Sequence, residues 1–120
     1  YLNRIEVMGN LGKDPELRYL PNQTPVSSIS LAYTEKWRDK ASNEQRERIE
    51  WFNVVLYGKQ AETVCRYMKK GDCLWVAGKL QSRRYEHHGV EKTVYEIMVG
   101  EIQIIHTKNQ NETVSGLEYL

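Results

Sequence analysis

The sequence predicts an all-β chain, a five-stranded Greek-key barrel with one short helix between the third and fourth strands. Three observations lead there. Apolar and polar residues alternate in successive stretches separated by turn formers. Only one stretch changes to helical spacing. At Gly100 the alternation slips by one residue, the mark of a β-bulge, which bends a strand around a barrel. A length of 120 residues, 40% of them apolar, suits one domain with its own core.

The first strand lies in NRIEVMGNLG, where Ile5 and Val7 alternate with polar neighbours before the turn residues of GNLGKDP. A second, over 25–34, sets Ile29, Leu31 and Tyr33 against Ser28, Ser30 and Ala32. EKWRDKASNEQRER follows, charged and rich in turn formers, and is expected to be a long exposed hairpin loop. In the third strand, IEWFNVVLYG, one face carries Phe52, Val54 and Leu56, the other Trp51, Asn53, Val55 and Tyr57. Ala61, Val64, Cys65 and Met68 then mark one face of a helix. Lys69 and Lys70 suit its C-terminal dipole, and Gly71 the left-handed position after it.

The fourth strand begins at Asp72, with Leu74, Val76 and Leu80 on one face and Cys73, Trp75, Lys79, Gln81, Arg83 and Tyr85 on the other. HHGVEK is a hairpin tip. The fifth strand has Thr93, Tyr95, Ile97 and Val99 in phase before the slip to Ile102 and Ile104. This order matches the oligonucleotide/oligosaccharide-binding (OB) fold over 1–106, although an SH3-like barrel or a small sandwich competes on periodicity alone. Residues 107–120, TKNQNETVSGLEYL, are expected to form a polar, disordered tail.

Seventeen Lys/Arg against sixteen Asp/Glu leave a net charge of +1, so total charge does not announce a polyanion ligand; placement must. Cys65 and Cys73 lack the spacing of a zinc ribbon or a disulfide framework, so neither metal nor cofactor is expected, and reduced thiols are. No apolar run spans a bilayer and no secretory leader is evident, which predicts a soluble protein that is not exported. An enzyme is not expected. His87 and His88 point to opposite faces of an extended chain, Cys65 lies on an apolar helix face, and no nucleophile elbow, P-loop or H-E-x-x-H occurs.

Flat aromatic faces interleaved with cations are what a flexible nucleic-acid strand requires, for base stacking and for phosphate contact. Trp37 and Arg38 lie between Lys36 and Lys40. Trp51 and Tyr57 share a strand face, with Lys59 just beyond, and Lys79, Arg83 and Tyr85 share another, with Arg84 adjacent. Trp75 and Cys73, opposite Leu74 and Val76, belong outside the barrel, where a tryptophan beside a thiol on a regular strand is expected to be a subunit interface.

The segments NRIEVMGNLGKDPELRYLPN, TEKWRDKA, EWFNVVLYGKQAETVCRYMKKGD and VAGKLQSRRYEHHG resemble, in order and spacing, the bacterial and mitochondrial single-stranded DNA-binding protein family. With the final strand, the resemblance covers about residues 3–106. It implies an OB fold, sequence-tolerant binding and protection of single-stranded DNA in replication, recombination and repair, and a homo-oligomer, usually a tetramer. It places stacking aromatics at Trp37, Trp51, Tyr57 and Tyr85, and phosphate-contacting cations at Arg18, Arg38, Lys59, Lys70, Arg83 and Arg84. The implied location is the bacterial cytoplasm, with the nucleoid, or the mitochondrion.

The chain also departs from the family. Phe52-Asn53 stand where His-Arg is frequent, which removes a cation beside Trp51 and sets a larger apolar group, Phe52, at a position implicated in subunit contact. Tyr85 replaces a common Trp. The ending GLEYL is not the acidic tip by which the family recruits replication and repair proteins, so such partners are expected only of a form that carries one. A primosome-type accessory protein and an RNA-binding module are the competing readings.

Overall fold

The computed structural model describes residues 1–107. Seven elements follow in order: β1 (Ile5–Leu11), β2 (Arg18–Tyr19), β3 (Pro25–Arg38), β4 (Gln45–Tyr57), α1 (Lys59–Tyr67), β5 (Cys73–His87) and β6 (Val90–His106). The five long strands are hydrogen-bonded in the order β1-β5-β6-β4-β3, and β1 returns to β3 through Asn10↔Ala32 and Leu11↔Leu31, closing an OB barrel. All pairings are antiparallel except β4 with β6. The two-residue β2 lies alongside β3, Arg18 opposite Val26.

Alternation decides what fills the barrel. Val7, Ile29, Leu31, Val54, Leu56, Leu74, Val76 and Ile97 point inward and are buried. Helix α1 plugs one end with Ala61 and Val64, and Met68 just beyond it is buried as well. Each large aliphatic side chain so buried is worth about 1.5–3 kcal/mol. At the anticipated bulge the β5–β6 register passes from Ala77↔Glu101 to Gly78↔Val99, leaving Gly100 unpaired in the ladder. Its carbonyl accepts a 2.8 Å hydrogen bond from Gln60 Nε2, so the bulge ties the helix to the barrel wall.

Three local expectations are corrected. The segment expected as a long loop is strand on both sides: β3 continues to Arg38, β4 begins at Gln45, and only 39–44 form the turn. Gly71 does adopt a positive φ of 94°, but it sits in the turn before β5, because the helix has already ended with extended Met68 as its C-cap. Leu80 lies beyond the bulge and is exposed, its backbone held by both side-chain polar atoms of Asn3 at 2.9 and 3.0 Å. No helix among the described residues is long and apolar enough to cross a membrane. The tail expected over 107–120 lies outside the described residues except for Thr107, which is buried.

Candidate functional site

Strands β3, β4, β6 and β5 lie side by side, so their outward residues form cross-strand rows. Ser28, Val55, Met98 and Lys79 make one row; Ser30, Asn53, Glu96 and Gln81 make the next. Val55 is outward yet only 6% exposed, which marks it as the floor of a concave surface. Two depressions run along this face, about 590 and 390 Å³ in volume, and share Arg18, Ser28, Val55, Arg83 and Glu96.

Tyr19 and Tyr57 line one of these depressions, Lys13 and Tyr85 the other, and Arg18 and Arg83 line both. The position of Tyr57 follows from register, since β3 sets Val26 between Tyr57 on β4 and Arg18 on β2. Trp51, opposite Ala32, projects from the same face at 59% exposure. Its indole lies against Gly12, where an added Cβ would sit 2.6 Å from Cζ3. The Arg83 guanidinium carbon is 5.8 Å from the centroid of the Tyr85 ring, a cation–π distance.

Electrostatics along the groove are less open than the sequence suggests. Arg83 donates from Nε and Nη2 to both carboxylate oxygens of Glu96, at 3.3 and 3.0 Å. Those hydrogen bonds, and the carboxylate's charge, raise the guanidinium pKa further above its ordinary value. Arg84 points to the other face of the β5–β6 hairpin and pairs with Glu91 at 3.5 Å, both side chains well exposed.

The remaining expected residues are distributed around this surface. Trp37 is exposed, but the β3–β4 register puts it on the hairpin face opposite to Trp51, beside Tyr33 and Glu35 and across from Arg46. Arg38 closes the hairpin turn, donating from Nη1 to the Asn43 carbonyl at 2.8 Å. Lys59 opens α1 and lines a separate depression of about 660 Å³ with Tyr19, Arg66 and Tyr67. Lys70 is exposed, and its backbone N–H is held by Asp14 Oδ1 at 2.8 Å, next in sequence to the groove residue Lys13.

Of the expected interface residues, Trp75 and Cys73 are half-buried on the outer wall, Trp75 between Met8 and Gln103 in the ladder. Burial pushes the Cys73 thiol pKa up. Phe52, the third expected interface residue, shares the face of Val54 and Leu56 and is half-buried, packed against the core. Among the described residues no three His, Cys, Asp or Glu side chains gather in a metal-ligating cluster.

Tyr19, Lys13 and Glu96 are groove residues that the sequence did not single out, and Asn53 was placed on the face of Trp51 and Tyr57 without a role. Asn53 and Glu96 were accessible to sequence reasoning, since outward positions on β4 and β6 are the complement of the apolar phase. Tyr19 and Lys13 depend on how the 12–20 segment folds back, which no periodicity reports.

Comparison with known proteins agrees with the fold. The same barrel occurs in a solved structure described as Plasmodium falciparum SSB in complex with ssDNA, with a TM-score of 0.74, 30% sequence identity, and coverage of 85% of this chain and 93% of that one. Proteins called single-stranded DNA-binding protein from Neisseria meningitidis serogroups A and B are each 42% identical over 112 residues, which is 92% of this chain. The chain spans 63% of the length of those relatives. The profile of the single-strand binding protein family matches residues 2–105, nearly all of the described structure, and the chain belongs to that family.

Proposed function

We propose that this protein binds single-stranded DNA with little regard to sequence and catalyses no reaction. One observation carries the reading: a single concave strand-built face on which the aromatics Trp51, Tyr57 and Tyr85 alternate with the cations Arg18, Lys79 and Arg83. Every base has a π-face, so stacking platforms accept any sequence, and cations between them follow the phosphates. The solved relative bound to ssDNA and the names of the bacterial relatives support the same ligand. In the cell this activity protects strands exposed in replication, recombination and repair, and places the protein with the DNA in the nucleoid.

The assembly in this proposal is a homotetramer with Trp75 and Cys73 at a subunit contact. Recruitment of replication and repair proteins is assigned only to a form carrying an acidic tip. The test of the binding reading is intrinsic tryptophan fluorescence. A dT oligomer of some thirty nucleotides should quench it strongly and saturably, and duplex DNA of the same length far less, because paired bases cannot stack on the protein. Tight duplex binding with unquenched fluorescence would replace this reading with a groove or backbone reader.

A further inference from the structure

The groove proposed to hold DNA contains an anion. Glu96 stands in the middle of the outward face, between Asn53 on β4 and Gln81 on β5, and lines both depressions. Its side chain is 15% exposed, whereas that of its partner Arg83 is 57% exposed. The carboxylate therefore lies on the groove floor with the guanidinium above it, facing solvent. The pair at the hairpin's other face, Arg84 with Glu91, is exposed on both sides, so salt and water screen it. Arg83–Glu96 is sheltered on the acid side and fork-shaped, the arrangement in which an arginine is held most firmly.

The fork that an arginine offers a carboxylate is the one it offers a phosphate. Nε and Nη2 of Arg83 cannot serve both at once. Resting on the functional reading above, we propose that Glu96 is an internal competitor of the DNA backbone: it holds Arg83 over the groove, substitutes for a phosphate there, and limits how tightly the strand is gripped. The paired arginine counts as a neutral group to an approaching polyanion and releases little counterion on binding. Glu96 thereby sets an affinity ceiling at the centre of the site, while the stacking residues on either side keep their full effect.

The experiment is a salt titration of dT-oligomer binding, followed by fluorescence, on the wild type, Glu96→Gln, Arg83→Ala and the double variant. Glu96→Gln keeps the shape and removes the charge. It should bind roughly two- to fivefold more tightly at moderate salt, the worth of a partly exposed ion pair. The slope of log K against log salt should steepen by about 0.7, the increment for one more phosphate neutralised on a single strand. In the Arg83→Ala background the same change should bring no steepening. Unchanged or weaker binding by Glu96→Gln overturns the proposal, and so does an equal gain with or without Arg83, which would reduce Glu96 to general repulsion. Thermal melting accompanies each variant, and Glu96→Ala supplies the readout if the glutamine variant folds poorly. A wild type that fails to bind dT defeats the functional reading itself, a result distinct from all of these.

Discussion

Trp51 lies against a neighbour without a side chain. Gly12 leaves room for the indole, and a methyl group there would reach within 2.6 Å of Cζ3 and 3.1 Å of Cη2. The ring is more than half exposed, so moving it costs little stability and changes the stacking platform directly. Trp51→Ala should weaken dT binding by roughly 5- to 150-fold, the range set by about 1–3 kcal/mol per stacked base, with the salt slope almost unchanged. Gly12→Ala should weaken it by a smaller factor and leave the unfolding free energy within the range of an ordinary surface change, about 0.5 kcal/mol. Binding at wild-type strength by Gly12→Ala in a fluorescence titration would show that the indole finds its platform from another rotamer. Trp51, Tyr57 and Tyr85 were legible as outward residues because period-2 alternation is a local property. That Arg83 is engaged by Glu96 was not, because the two meet only through the pairing of β5 with β6 and the strand order.

At the scale of elements, the hairpin arms show why alternation fails outside the barrel. Residues 33–38 and 45–51 are all exposed, so neither face of the hairpin needs to be apolar. Hydropathy then carries no period, and the segment reads as loop although thirteen consecutive residue pairs join β3 and β4 from Val26↔Tyr57 to Arg38↔Gln45. Once the arm is strand, register fixes sides: Trp51 joins the groove and Trp37 the reverse face. Variants retaining only one of these tryptophans, the others changed to Phe, should separate the two. A short dT oligomer should quench the Trp51 protein first, and the Trp37 protein should need a longer strand that passes to the far side of the arm. Equal quenching by the shortest oligomer that binds would mean that one strand touches both faces at once. The bulge was legible for the opposite reason, since both sides of Gly100 are tied to the core and a phase slip there is visible. Gly78, opposite the bulge, has no room for a Cβ, which would fall on the Met98 carbonyl. Gly78→Ala should lower stability by about 1–3 kcal/mol in urea unfolding, the usual cost of overpacking.

Across the whole molecule, β1 borders a gap in the barrel wall. That strand pairs with β5 from Ile5 to Asn10, but its pairing with β3 involves only Asn10 and Leu11, so Ile5–Gly9 have no strand on their second side among the described residues. An unpaired edge is a template for another chain. Beside it, on the outer wall, Met8 is 53% exposed and lies next to half-buried Trp75 in the ladder, with Gln103 on the far side. A methionine and a tryptophan side by side on two adjacent strands fit a surface that a second subunit covers. Glu6 and Glu101 cap the neighbouring row, both paired to Arg4, so the patch ends where charge begins. Trp75→Glu places a carboxylate in the middle of this patch without touching the inward side chains Leu74 and Val76. The variant should therefore keep a native circular dichroism spectrum while light scattering reports a smaller particle than the wild type. Its affinity for a short dT oligomer should stay within about twofold, because Trp75 lies on the wall away from the groove, whereas binding to long strands should weaken as linked sites are lost. An unchanged particle mass would remove Trp75 from the interface and leave the edge of β1 as the surface to test next.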